Sequence, residues 1–120
     1  MAKILAVDDS ASMRQMVAFT LKGAGHSVTD AVDGKNALDI ARTQSFDLVL
    51  TDVNMPNMDG ITLTKELRSL PAYRFTPILV LTTEAGMDKK QEGRAAGATG
   101  WLVKPFNPEQ LLVTVRKVLG

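Results

Sequence analysis

The chain has 120 residues, 45% of them hydrophobic and 22% charged, with a net charge of +1; this is the composition of one ordinary globular domain with no global pull toward nucleic acid or lipid. It has no cysteine, which excludes disulfides and thiolate metal sites. No stretch approaches the roughly 20 apolar residues needed to cross a bilayer, and Asp8 and Asp9 cut off the opening apolar run too early for a signal-peptide core, so a cytoplasmic protein with no membrane and no nucleic-acid partner is expected.

Short apolar runs alternate with helical patterns along the chain. Ile4-Leu5-Ala6-Val7 predicts a first strand. Met13, Met16, Val17, Thr20 and Leu21 then recur at helical spacing, with Ser10 as N-cap and Gly23 or Gly25 as the stop. Ser27 to Ala31 is a weaker second strand, followed by a helix that opens near Asp33-Gly34 and is marked by Ala37, Leu38 and Ala41. Leu48-Val49-Leu50 predicts the third strand. Leu63, Leu67 and Leu70 mark a third helix, capped by Asp59 and ended by Pro71. Tyr73, Arg74 and Phe75 read as a loop covering the sheet before the fourth strand, Ile78 to Leu81. Met87 to Ala96 is the weakest helix, because Gly93 lies inside it. Leu102-Val103 completes the strands, and a last helix starts with Asn107 as cap and Pro108 at its first position. Strands that are apolar at successive positions are buried on both faces, so the pattern predicts an α/β fold of (βα)5 type with a parallel five-stranded sheet.

In open parallel sheets the site lies beyond the carboxyl ends of the strands. Here the first strand runs into Asp8-Asp9, the third into Asp52, the fourth into Thr82 and the fifth into Lys104-Pro105. Each residue alone has an ordinary reading as a helix cap, a turn residue or a solvated lysine. Together they place three carboxylates, a hydroxyl and an ammonium on one sheet edge. Clustered carboxylates repel unless a cation joins them, and an all-oxygen set with room for water suits Mg²⁺. Such an ion lets a phosphoryl donor approach a carboxylate nucleophile, and Thr82 and Lys104 could then hold the phosphoryl oxygens.

These residues carry a resemblance to the receiver domains of response regulators, of the CheY-like chemotaxis kind. The resemblance runs along the whole chain: an acidic pair after the first strand, Asp52-Val53-Asn54-Met55-Pro56-Asn57-Met58-Asp59-Gly60 after the third, Thr82 closing the fourth and Lys104-Pro105-Phe106 closing the fifth. It implies a doubly wound, flavodoxin/CheY-like sheet in the order 2-1-3-4-5, an order taken over from known proteins of this kind rather than derived. It implies one receiver domain over residues 1–120 with no output domain, a monomer. Asp52 would be phosphorylated by a histidine kinase (CheA-like). Asp9, Asp52 and the main-chain carbonyl of Asn54 would bind Mg²⁺ directly, with Asp8 acting through water. Thr82 and Lys104 would take up phosphoryl oxygens, and the peptide before Pro105 would be cis. Thr82 and Trp101 would form the switch, Asn54 and Glu84 would set the rate of hydrolysis, and Lys89, Lys90, Arg94 and Trp101 would lie on the partner surface.

Motor-binding chemotaxis regulators usually carry tyrosine at the position of Trp101, tryptophan at Val53 and a small residue at Thr83. Two roles therefore stand side by side: docking on a target such as the flagellar-motor switch protein, or service as a phosphate sink or relay. A dehalogenase-type phosphatase wants a second acid where this chain has Asn54, and a nucleotide carrier wants a glycine-rich loop where it has Asp8-Asp9. A receiver that no longer takes phosphate is opposed by the complete acidic set. His26 lies near the second strand, away from that set, and is not expected to take part. Met55 and Met58 sit in the turn beside Asp52.

Overall fold

The computed structural model describes residues 2–82, 87–104 and 106–119, without the side chains of residues 87–90. Thr83, Glu84, the peptide before Pro105 and the side chains of Lys89 and Lys90 therefore lie outside the described residues. The elements are β1 (Lys3–Val7), α1 (Ala11–Gly23), β2 (Ser27–Ala31), α2 (Gly34–Thr43), β3 (Leu48–Asp52), α3 (Gly60–Arg68), a 3₁₀ turn (Pro71–Tyr73), β4 (Ile78–Thr82), α4 (Met87–Ala96), β5 (Gly100–Val103) and α5 (Pro108–Leu119). All neighbouring strands pair in parallel, in the order β2-β1-β3-β4-β5, as expected.

Successive side chains of a strand point to opposite faces, and each face here has its own core. Ile4 and Ala6 of β1 join Leu48, Leu50 and Leu79 under α1 and α5, where Val17, Leu21, Leu111 and Val115 are buried. Leu5 and Val7 join Val49 and Ile78 under α2 and α3, with Ala37, Leu38, Leu63 and Leu67. Every residue of β3 and β4 is buried, which explains their apolar runs Leu48-Val49-Leu50 and Ile78-Leu79-Val80-Leu81.

Side-chain caps aim the helix starts at one sheet edge. Ser10 accepts from the Met13 N–H, Asp33 from that of Asn36 and Asp59 from that of Thr62. Asn107 and Gln110 exchange side-chain-to-backbone hydrogen bonds at 2.8 and 2.9 Å, a reciprocal cap on α5.

The third helix ends earlier than its apolar spacing predicts. Its last residue is Arg68; the residue before a proline is driven out of the helical region, and Leu70, at φ −87° and ψ 124°, is extended. The covering loop also divides. Tyr73 is buried, its hydroxyl shared between the Ala41 and Gln44 carbonyls, whereas Phe75 is 88% exposed.

The loop from Val53 to Asp59 is folded back hard on its own strand. The Gly60 N–H donates to the Val53 carbonyl at 2.9 Å, and a Cβ at Gly60 would stand 2.0 Å from the Asp52 carbonyl oxygen. The same loop leans on α2: Asn57, at φ 68°, donates its side-chain amide to Asp33 at 2.7 Å, while the Gly34 N–H donates to the Met58 carbonyl at 3.1 Å. Met55 and Met58 pack against the core under α2 and α3.

The Gly60 contact predicts that Gly60→Ala destabilises the protein by about 3 kcal/mol in urea denaturation, since the clash is with backbone that cannot move aside. Gly23→Ala is the control. Nothing lies within 4 Å of its added Cβ, so about 0.5–1 kcal/mol of stabilisation is expected from the helix alone.

Candidate functional site

The carboxyl edge of the sheet brings together residues far apart in sequence. Asp8 and Asp9 follow β1, Asp52 ends β3, Thr82 ends β4 and Lys104 follows β5. The Lys104 N–H donates to the Thr82 carbonyl at 2.7 Å, extending the β4–β5 pairing by one residue and fixing where the lysine side chain departs. Its ammonium then reaches across the edge to Asp52 Oδ1 at 3.1 Å and Asp8 Oδ2 at 3.2 Å. All three side chains are largely out of solvent, at 12% exposure for Lys104, 5% for Asp8 and 11% for Asp52, so this tie is far less screened than a surface ion pair.

One carboxylate oxygen from each of Asp8, Asp9 and Asp52 lies within 4.8 Å of the others. Asp9 is the exposed member. Three formal negative charges face one ammonium, leaving two uncompensated, and a divalent cation matches that deficit. The donors are all oxygen and one side of the cluster is open to water, so the residues present fit a hard divalent ion that keeps part of its hydration shell.

Burial pushes the Asp52 carboxyl above the ordinary carboxylate range. The Lys104 hydrogen bond and charge pull the other way, Asp8 adds to the rise, and the Val53 N–H, at 2.9 Å from Oδ1, opposes it. Asp33, one loop away, is held low by N–H donors from Asn36 and then from the Asn57 amide. The acid that caps α2 is thus stabilised in its charged form, whereas the acid at the strand end is not.

Asp8 is gripped at every polar atom. Its N–H donates to Ala31 at 3.2 Å, Oδ1 accepts from the Ser10 N–H at 2.9 Å, Oδ2 faces Lys104, and its carbonyl accepts from Arg14 Nη1 at 2.7 Å. Sequence reading missed the Arg14 contact and the Asn57–Asp33 bond. Both join residues whose separation follows no local motif, and the asparagine in a tight turn was the available hint.

Thr82 is buried and lines a slot of about 10 Å³ with Val53, Val80, Gly93, Ala98, Gly100 and Trp101. Trp101 is half-buried, and the Arg94 guanidinium sits 5.5 Å from its ring centroid. Asn54 is exposed and borders a cavity of about 430 Å³ between α3 and α4. His26 lies at the other edge of the sheet, where Nδ1 accepts from the Ala2 N–H at 3.0 Å. A larger cavity of about 630 Å³ opens beside it, also lined by Asp47, Pro77 and Arg116, far from the acidic edge.

Residues 4–116 match the family model described as the response regulator receiver domain. The solved structure of chemotaxis response regulator CheY4 of Vibrio cholerae is similar at a TM-score of 0.95 and 58% identity, covering 98% of both chains. A chemotaxis protein CheY homolog of Campylobacter jejuni is 38% identical over 98% of this chain and 92% of its own length. A gliding motility regulatory protein of Myxococcus xanthus is 40% identical over 85% of this chain, which spans only 13% of that protein.

The raised Asp52 carboxyl gives a signed prediction. A carboxyl that holds its proton more tightly folded than unfolded favours folding at low pH, and that contribution is lost as pH rises from about 3.8 through the raised value. Asp52→Asn is therefore expected to raise the urea midpoint at about pH 7 without divalent cation, with the gap narrowing toward about pH 4. A wild type as stable as the variant at neutral pH contradicts this.

Proposed function

Because the chain belongs to the response-regulator receiver family, we propose that Asp52 is the residue on which it accepts a phosphoryl group from a histidine kinase, with Mg²⁺ held directly by Asp9, Asp52 and the main-chain carbonyl of Asn54 and through water by Asp8. The protein is a phosphorylation-activated response regulator of the chemotaxis type. The observation that carries the site assignment is the position of Asp52, which ends a fully buried central strand within reach of two further acids and of Lys104.

A carboxylate oxygen of Asp52 displaces the donor nitrogen from phosphorus, forming an acyl phosphate as the P–N bond breaks. Bound Mg²⁺ supplies the neutralisation that lets an anionic donor approach an anionic nucleophile. Lys104 moves its hydrogen bond from Asp52 to a phosphoryl oxygen, and the Thr82 hydroxyl takes another. Because Thr82 and Trp101 line one slot, a shift of the hydroxyl toward the phosphate alters the packing beside the indole. The slot holds only about 10 Å³, so an inward-moving indole requires Gly93 of α4 and Ala98 just beyond that helix to give way. The signal thereby reaches the face formed by α4, β5 and α5, which carries Arg94 and Trp101 and is the docking surface.

Asn54 and Glu84 govern the lifetime of the acyl phosphate. The phosphodonor is a kinase of the CheA-like kind, and the target is a protein such as the flagellar-motor switch protein. The CheY-named relatives favour such docking over the alternative of a phosphate sink or relay.

Labelling with radioactive acetyl phosphate tests the acceptor: Asp52→Asn is expected to abolish Mg²⁺-dependent incorporation, and labelling at the wild-type level would remove Asp52 from the role. A second test uses Trp101, the one tryptophan of the chain. Its emission is expected to change when Mg²⁺ and beryllofluoride are added, with the change lost in Asp52→Asn. An unchanged spectrum at saturating beryllofluoride would show that the slot does not open.

A further inference from the structure

The carboxylates of the acidic edge differ in how they are held. Asp8 and Asp52 each have hydrogen-bonded carboxylates and lie against Lys104. The carboxylate of Asp9 is exposed, and no described group hydrogen-bonds it. The point from which it projects is therefore restrained only through its backbone, including the peptide that joins it to Asp8. The oxygen of that peptide is the Asp8 carbonyl, and Arg14 Nη1 donates to it at 2.7 Å.

Arg14 is itself fixed at both ends. Its backbone N–H makes the first helical bond of α1, to Ser10 at 3.0 Å, and its Nε pairs with Asp30 of β2 at 3.4 Å. The Arg14 side chain is only 17% exposed, so its guanidinium is confined between the β1–α1 loop and the sheet. The guanidinium donates one hydrogen bond to the Asp8–Asp9 peptide, and the ion pair with Asp30 restrains the planar group that makes it, a geometry that a lysine ammonium does not reproduce. We propose that Arg14 is a positioning residue of the cation site, which pre-orients Asp9 toward the divalent ion by immobilising the Asp8–Asp9 peptide. This rests on the reading of the acidic edge as a Mg²⁺ site.

The sign of the effect separates this role from simple charge. A cation near the site repels Mg²⁺, so if Arg14 acted only through its charge, removing it would tighten binding and Arg14→Lys would change nothing. A group that orients a ligand acts oppositely, and loss of such outer contacts typically weakens a metal by about 10–100-fold. Mg²⁺ titrations of isotope-labelled protein, followed by the amide resonances of Asp9, Asp52 and Val53, read the affinity without any phosphoryl transfer. Arg14→Met and Arg14→Lys are both expected to weaken Mg²⁺ by about tenfold while the amide spectrum away from the β1–α1 loop stays native. Arg14→Lys carries the test alone if Arg14→Met does not fold. Unchanged or tighter binding in either folded variant, beside a normal wild-type response, overturns the role of Arg14. A wild-type protein that does not respond to Mg²⁺ overturns the metal site and this inference together.

Discussion

The ammonium of Lys104 lies 3.1 Å from Asp52 and 3.2 Å from Asp8, and that bridge makes the carboxyl edge of the sheet tolerable. Without it, two nearly buried carboxylates would face each other with nothing between them. The bridge only partly succeeds. Burial and the Asp8 charge still hold the Asp52 carboxyl above its usual range, despite the lysine. A site left in this condition has free energy in reserve for whatever neutralises it. Functional sites commonly break local rules of stability in this way while the surrounding structure compensates.

The compensation is visible in the loops. The segment after β3 is secured to its own strand through Gly60 and to α2 through Asn57 and Asp33, so the backbone next to Asp52 has little freedom. The segment after β1 is secured by Ser10 and Arg14, and the segment after β5 by the Lys104–Thr82 backbone bond. Each tie joins a different neighbour, and together they fix the backbone from which the carboxylates project. Elsewhere, Arg68 does comparable work: its guanidinium donates to the carbonyls of Tyr73, Thr76 and Gly97, joining α3 to the entry of β4 and the turn after α4. Burial lowers its pKa, a cost offset by this set of acceptors.

The path from the acidic edge to the outer face is short. Thr82 stands at the end of β4, and Trp101 on β5 lies against the same slot, with Arg94 of α4 over its ring. Interiors packed this tightly respond to a small displacement by changing arrangement, because there is no spare volume to absorb it. Any displacement of the Thr82 side chain therefore bears on the packing one strand away.

The residues alone determined the alternation of strands and helices, the caps at Ser10, Asp59 and Asn107, and the placement of Asp8, Asp9, Asp52, Thr82 and Lys104 at strand ends, because each depends on local spacing or on a side chain bonding its own neighbourhood. The extended backbone before Pro71 was legible by the same local logic, although the spacing of Leu63, Leu67 and Leu70 masked it. The sheet order needed the family resemblance, since adjacency of β1 and β3 is a non-local fact. Only the tertiary structure decided that Lys104 is shared between Asp8 and Asp52, that Asn57 is tied to Asp33, that Arg14 holds the Asp8 carbonyl and that Thr82 and Trp101 border one slot. Most of these contacts join separate segments of the chain, and even Arg14 meets Asp8 across a strand-to-helix turn. Their geometry exists only once the parallel strands have brought their carboxyl ends to a common edge.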